Sequence, residues 1–321
     1  MRTRRTAFSG LLILNLTLAC ALGTQETAGP AVVTAPQAPA VTSQAPQAPP
    51  QARAEAPVAL PNKDGTLKFT VLGDFGTASK QQYQLAEQMD KLQQKFPYEL
   101  VILVGDNLYG SERPQDFAQK FEIPYKPLID RKVKFMASLG NHDDRNQRFY
   151  KPFNMEGHYY YSFKAAKQNV KFFALESTYP EPEQIKWVEG ELKGSSEDWK
   201  IPFFHHPLYS SGGRHGSDLR LRDTLEPLFV QHNVSVVFTG HDHFYERVKP
   251  QKGIVYFVTG SGGQLRSGDL EEGSLLTARG FDTDYAFLAC EIDGDQMYFN
   301  AVSRTGQVID SGVISRRQVS K

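Results

Sequence analysis

The run Leu100-Val101-Ile102-Leu103-Val104, followed by Gly105-Asp106-Asn107-Leu108-Tyr109, decides the fold. Five consecutive aliphatic residues read as a strand buried on both faces. A glycine then turns the chain, and Asp106 leaves the strand at the carboxyl edge of a sheet. Open α/β sheets bind their ligands at that edge. Taken alone, Gly-Asp after a strand is an ordinary turn. It gains meaning from four further motifs, each at the end of its own apolar run.

Leu67 to Leu72 ends in Gly73-Asp74-Phe75-Gly76, and Val133 to Leu139 ends in Gly140-Asn141-His142-Asp143-Asp144. Ile201 to Phe204 leads to His205-His206-Pro207, and Val234 to Thr239 ends in Gly240-His241-Asp242-His243. Between these runs, apolar residues recur at helical spacing from Lys80 to Phe96, where Pro97 stops the pattern. Shorter helices are expected over Gln115–Phe121, Pro182–Leu192 and Leu219–His232. Residues 158–163 and 170–175 read as paired strands about the polar turn Lys167–Asn169. Four more strands, 254–259, 285–292, 297–303 and 308–314, follow with Gly-rich turns. Strands alternate with helices early and run as hairpins late, which predicts a layered α/β fold with two packed sheets between helices.

The fold does not occupy all 321 residues. Arg2, Arg4 and Arg5 precede an apolar stretch, Leu11 to Leu22, too short to span a bilayer, so residues 1–21 read as a signal peptide and the protein as exported, to periplasm, cell envelope or outside. Two endings fit. Ala19-Cys20-Ala21 resembles a peptidase site, and Leu16 to Cys20 resembles a lipobox that would place a lipid anchor on Cys20. Residues 22–61, rich in Ala, Pro, Gln and Thr with no aromatic residue, read as a disordered linker. Residues 62–321 are then the folded domain, long enough for a sizeable core. The 36 basic and 36 acidic residues cancel, which gives no support to nucleic-acid binding. Cys20 and Cys290 are the only cysteines, so the domain has no internal disulfide, and Cys290 lies in an apolar run as a buried small hydrophobe.

The five strand ends deliver carboxylate, phenol, amide and imidazole groups. Hard oxygen donors suit a trivalent or hard divalent ion, and imidazole suits Zn, Fe or Mn. His-x-His at a strand end lets two rings lean toward different neighbours, so one motif can serve two metals. Five such motifs at five strand ends are hard to explain as chance.

In this order, Gly-Asp, Gly-Asp-Asn-x-Tyr, Gly-Asn-His-Asp, His-x-Pro and Gly-His-x-His resemble the calcineurin-like metallophosphoesterase superfamily over about residues 66–263. Many members carry Asp-x-His in the first motif; Gly76 stands at that histidine here. Tyr109, three residues after Asp106, instead resembles the purple acid phosphatases, especially the short tartrate-resistant type. The resemblance implies a four-layer α/β/β/α sandwich of two mixed sheets flanked by helices. It implies one metal, ferric iron, on Asp74, Asp106, Tyr109 and His243, and a second, Fe2+, Zn2+ or Mn2+, on Asp106, Asn141, His205 and His241. It makes Asp106 the bridge, leaves His206 at a non-ligand position, and gives His142 and His215 roles at the phosphate and leaving group. His215 follows Ser211-Gly212-Gly213-Arg214, which reads as a flexible approach.

The implied activity is an acid phosphatase that hydrolyses small phosphate monoesters by attack of a metal-bound hydroxide. The alternatives are a phosphodiesterase on the same scaffold and a non-catalytic phosphate-binding surface protein. Among the remaining polar residues, Arg214 reads as a solvated loop arginine more readily than a phosphate clamp. Asp143 and Asp144 read as surface turn residues or as partners of His142. Asp242 and Glu246 read as ordinary polar positions, and Tyr159 to Tyr161 as strand packing. Gly260-Ser261-Gly262-Gly263 lacks a phosphate-loop pattern and is expected to let backbone pass close to the site.

Overall fold

A computed structural model describes residues 56–318. The leader, Cys20 and most of the 22–61 linker lie outside the described residues. The last linker positions do not: the Val58 amide donates to Ser311 Oγ at 2.9 Å, and Leu60 packs against the apolar cluster under the first helix. These residues therefore belong with the folded unit.

Thirteen strands are described, beginning with β1 (Leu67–Leu72), β2 (Leu100–Val104) and β3 (Lys134–Ser138). Next come β4 (Tyr161–Lys164), β5 (Val170–Ala174), β6 (Trp199–Phe203), β7 (Val236–Thr239), β8 (Tyr245–Val248) and β9 (Val255–Thr259). The last four are β10 (Thr277–Phe281), β11 (Ala286–Asp293), β12 (Gln296–Ser303) and β13 (Val308–Ser315). The α-helices are α1 (Lys80–Lys95), α2 (Pro114–Phe117), α3 (Lys126–Asp130), α4 (Pro182–Gly194) and α5 (Leu219–Gln231).

One sheet has the order β13-β12-β11-β1-β2-β3 and the other β10-β8-β9-β7-β6-β5-β4. Both are mixed. Strands β1, β2 and β3 run parallel, with antiparallel β11, β12 and β13 on one side. Strands β5, β6, β7 and β9 run parallel, with antiparallel additions at each end.

The period of two along β2 explains the layers. Leu100, Ile102 and Val104 face the central core, with Phe69, Phe172, Phe203, Phe238 and Phe257 from both sheets. Phe69 meets Phe172 and Phe238 edge to face, with centroids 5.4 and 6.0 Å apart. Such pairs add about 1 kcal/mol each beyond burial, which itself contributes about 2–3 kcal/mol per ring. Val101 and Leu103 face outward against Leu85 and Met89 of α1. The second sheet's outer face packs Phe173, Val237 and Tyr256 against Val188 and Leu192 of α4 and Leu225 and Phe229 of α5. The four layers α/β/β/α follow directly from this alternation.

Helix α1 starts where Ser79 Oγ accepts the Gln82 amide, and it ends before Pro97. The helix expected over 115–121 is two pieces: α2 runs into a π-helical turn, Ala118–Glu122. There Lys120 turns inward, and its Nζ donates to the Tyr109 and Ser111 carbonyls at 2.6 and 2.8 Å. Strands β8 and β10 were not expected. Tyr245-Glu246-Arg247-Val248 and Thr277-Ala278-Arg279-Gly280-Phe281 carry no apolar alternation, because Glu246 and Arg247 are satisfied by polar partners and β10 is an edge. Strand β4 begins at Tyr161, since a turn closes from the His158 amide to the Met155 carbonyl.

Candidate metal centre

The ends of β1, β2 and β3 meet the ends of β6 and β7, and all the proposed donors gather there. Asp74 and Asp106 are almost completely buried, at 0% and 1% exposure, and His205 is fully buried. Asn141 and His142 are exposed, so the cluster has a wet face. Three of these residues hold left-handed backbone: Asp74 at φ +55°, Asp106 at φ +49° and His241 at φ +72°. Each such residue costs on the order of 1 kcal/mol, and the strain persists only because the surrounding turns impose it. Their positions are fixed by the fold rather than by local preference.

Tyr109 Oη donates to Asp74 Oδ1 at 2.9 Å and lies 3.1 Å from His243 Nε2. His205 Nδ1 lies 3.0 Å from the Val104 carbonyl, so that nitrogen carries the proton and donates. Its Nε2 is then a bare lone pair. It faces Asn141 Oδ1 at 3.1 Å, His241 Nδ1 at 3.1 Å and Asp106 Oδ1 at 3.4 Å. Two sets of donor atoms, Asp74–Asp106–His243 and His205–His206–His241, each lie within 4.8 Å of one another.

This arrangement fits cations. Acceptors converge on His205 Nε2 with a single shareable proton at most, on His241. Asp74 is hydrogen-bonded by Tyr109 and the His241 amide, and Asp106 by the His142 amide, with no Lys or Arg nitrogen among their described partners. Burial pushes the Asp74 carboxyl well above its usual range, and Asp106 adds to the rise. Burial, then Asp74 and Asp106, push the Tyr109 phenol upward as well. Burial lowers His243 to about 4 and takes His241 further down, so both rings stay neutral, as ligands must. Two buried carboxyl groups this close favour a bound cation, and no Lys or Arg nitrogen is among their described partners.

Position 76 shows why the chain lacks the first-motif histidine of many relatives. A Cβ at Gly76 would overlap the Asn107 carbonyl oxygen, so no side chain fits there. Tyr109 approaches the same Asp74 from the next loop, and its amide donates to the Gly76 carbonyl at 2.9 Å. The Gly-rich 260–263 segment runs against the site as expected, with the Gly263 amide on the Asp74 carbonyl at 2.9 Å.

His142 stacks near Tyr109, with centroids 4.9 Å apart, and His215 near His241, at 4.2 Å. The loop carrying His215 is not the flexible approach its sequence suggested. The Ser211 amide donates to Glu246 Oε2 at 2.9 Å, and Ser210 Oγ donates to Asp242 Oδ2. The Gly213 amide donates to the Asp269 carbonyl at 2.8 Å. Asp242 and Glu246, expected as ordinary polar residues, are thus fully buried anchors of that loop. Burial raises Asp242 to about 6, opposed by the Ser210 hydrogen bond. Asp143 does not partner the His142 side chain. It accepts the Gly140 and Leu108 amides at 2.8 and 3.0 Å and Gln147 Nε2 at 2.7 Å, tying the β2 and β3 loops together. Lys120 and Ser177 carried no sequence signal: one caps the Tyr109 turn and the other receives the His205 and His206 amides. Arg214 is exposed, in keeping with a solvated loop.

Comparison with known proteins agrees with this geometry. The calcineurin-like phosphoesterase profile matches residues 67–245, more than half of the chain. Purple acid phosphatase 17 of Arabidopsis thaliana is 28% identical over 244 residues, covering 64% of this chain and 71% of that one. Rat tartrate-resistant acid phosphatase type 5 is 24% identical over 238 residues, covering 61% and 72%. Among solved structures, the Plasmodium protein described as GAP50, the anchor in the inner membrane complex, shares the fold with a TM-score of 0.68 at 20% identity, covering 79% of this chain and 90% of that one. The chain belongs to the calcineurin-like phosphoesterase family and, within it, is similar to the purple acid phosphatases.

Proposed function

We propose that the chain is a two-metal phosphomonoesterase of the purple acid phosphatase kind. One observation carries the reading: seven donor side chains from five strand ends gather around two buried carboxyl groups, Asp74 and Asp106, that have no Lys or Arg partner among the described residues. Asp74, Asp106, Tyr109 and His243 would hold a ferric ion, and Asp106, Asn141, His205 and His241 a divalent Fe, Zn or Mn ion. When bound, the pair supplies Lewis acidity to the phosphoryl group and an acidified water.

The protein's own part is to position and to move protons. Asp106 is fixed by the His142 amide on Oδ1 at 2.9 Å, which leaves its carboxylate directed between the two donor sets. His205 is locked in one tautomer by the Val104 carbonyl, and Asp74 by the His241 amide at 2.9 Å. His142 and His215 border different halves of the cluster. From there they can hold the phosphate and deliver a proton to the departing oxygen. Export is part of the proposal, resting on Arg2, Arg4, Arg5 and the Leu11–Leu22 run. Among the described residues no helix is long and apolar enough to cross a membrane.

Metal content and visible absorption on one purified sample test the reading. Two metals per chain, one of them iron, a visible band and turnover of phosphate monoesters are expected. Full metal content without turnover on any phosphate ester would reduce the chain to a binding or anchoring role. Faster turnover of diesters than monoesters would replace the monoesterase reading.

A further inference from the structure

His206 was expected at a non-ligand position, and the structure gives it a definite orientation. Ser177 Oγ accepts the His205 amide at 3.2 Å and the His206 amide at 3.0 Å. A hydroxyl has two lone pairs and one proton. With both lone pairs engaged, the Ser177 proton goes to its remaining neighbour, His206 Nδ1, at 3.0 Å. The neutral His206 ring therefore carries its own proton on Nε2, on the far side of the ring from Ser177. That nitrogen has no hydrogen-bond partner among the described residues, and the ring is only partly buried.

The ring borders a hollow of about 270 Å³ with Pro207, Arg214, His215, Ser217 and His241. Its centroid is 4.3 Å from that of His241, which in turn is 4.2 Å from His215. His206 thus stands on the wall of the same hollow as the proposed leaving-group histidine, beside the donor cluster, with an N–H that meets no acceptor among the described residues.

We infer that His206 is a phosphate-binding residue: Ser177 fixes its tautomer so that Nε2–H donates to a phosphoryl oxygen of the substrate and of the product phosphate. The inference rests on the two-metal reading of the site and extends it to the substrate oxygens. Ser177 is a positioning residue, orienting the His206 ring while also accepting the His205 amide. It lies after β5, outside every recognisable motif, and so carries no signal of its own in the sequence.

The test uses the full, metal-loaded chain, with metal content and the affinity for inorganic phosphate measured by calorimetry. A hydrogen bond to a charged acceptor is worth about 1.5 kcal/mol, close to tenfold in affinity. His206→Phe keeps the ring volume and should weaken phosphate binding about tenfold, with two metals per chain retained. His206→Gln, which restores an amide N–H, should recover most of that loss. Ser177→Ala should weaken phosphate binding several-fold in the same direction, with KM rising more than kcat falls. Unchanged phosphate affinity in His206→Phe with both metals present overturns the inference. So does loss of one metal in that variant, which would make His206 a ligand beside His205 and His241. Wild-type chain that binds phosphate through His206 without turning over any ester keeps this inference and removes the hydrolase reading instead.

Discussion

The two sheets contribute unlike halves to one site. The β1–β2–β3 edge supplies oxygen and amide donors, Asp74, Asp106, Tyr109 and Asn141. The β6–β7 edge supplies nitrogen, His205, His241 and His243. The first half centres on two buried carboxyl groups, and the second brings three imidazoles to face them. Neither half completes the donor cluster alone, since His243 reaches Asp74 and His205 reaches Asp106 and Asn141 only across the gap between sheets. The central core of Phe69, Phe172, Phe203 and Phe238 sets that gap. In this molecule, the packing of the two sheets is what brings the halves of the site together.

The sharpest way to break the comparison is to remove the charge that both halves share. Asp106→Asn should lose both metals together and lower turnover about a thousandfold, or roughly 4 kcal/mol of barrier. Metal analysis beside a phosphatase assay checks it, and two metals retained per chain would end the bridging role. Tyr109→Phe acts on the oxygen half alone. It should abolish the visible band while leaving the circular dichroism of the fold unchanged, with about 1 kcal/mol lost from the hydrogen bond to Asp74. An unchanged spectrum removes Tyr109 from the metal shell.

Asp242→Ala acts on the nitrogen half without touching a donor. It strips the buried anchor from Ser210 and frees the loop of His215, at a cost of about 1–3 kcal/mol in stability. Thermal unfolding should shift down while metal content stays at the wild-type level; metal loss would show that the loop supports the donors themselves.

The smallest effect lies away from the site, at the Lys164–Glu197 pair on the second sheet's flank, 2.6 Å apart. Hydrogen bonds from Lys164, then Ser195, lower the Glu197 carboxyl from 4.5 to about 2. A depressed carboxyl stabilises the fold above its unfolded value and loses that contribution as pH falls. Lys164→Met should therefore cost about 0.5 kcal/mol at neutral pH, since Lys164 is largely exposed. The difference between variant and wild type should vanish between pH 4.5 and about 2. A constant difference across that range would assign the effect to packing.

How much was legible in the sequence follows from what each signal requires. Apolar runs closed by glycine announce buried strands, so β1, β2, β3, β6 and β7 and the five motifs at their ends could be read in order. Strands β8 and β10 could not, because their residues are chosen for polar partners: Glu246 for the Ser211 amide and Thr277, Arg247 for Asp310. For the same reason Asp242 passed as an ordinary residue, Asp143 was assigned the wrong partner, and Lys120 and Ser177 carried no signal. A buried polar side chain is recognisable only by what it bonds, and each of these bonds a group distant in sequence. The loop of His215 was misread on its glycines: Gly212 packs closely against Asp242, and the Gly213 amide is held by the Asp269 carbonyl.

The sequence by itself determined the strand-and-turn frame and the kinds of atoms brought to its edge, because periodicity and donor chemistry are local properties. Only the tertiary structure decided which donors face one another, which tautomer His205 and His206 hold, and that Asp74, Asp106 and His241 sit in left-handed backbone. Those properties depend on contacts between residues 29 to 167 positions apart. Local preference, which disfavours a left-handed aspartate, is there overruled by the packing of two sheets.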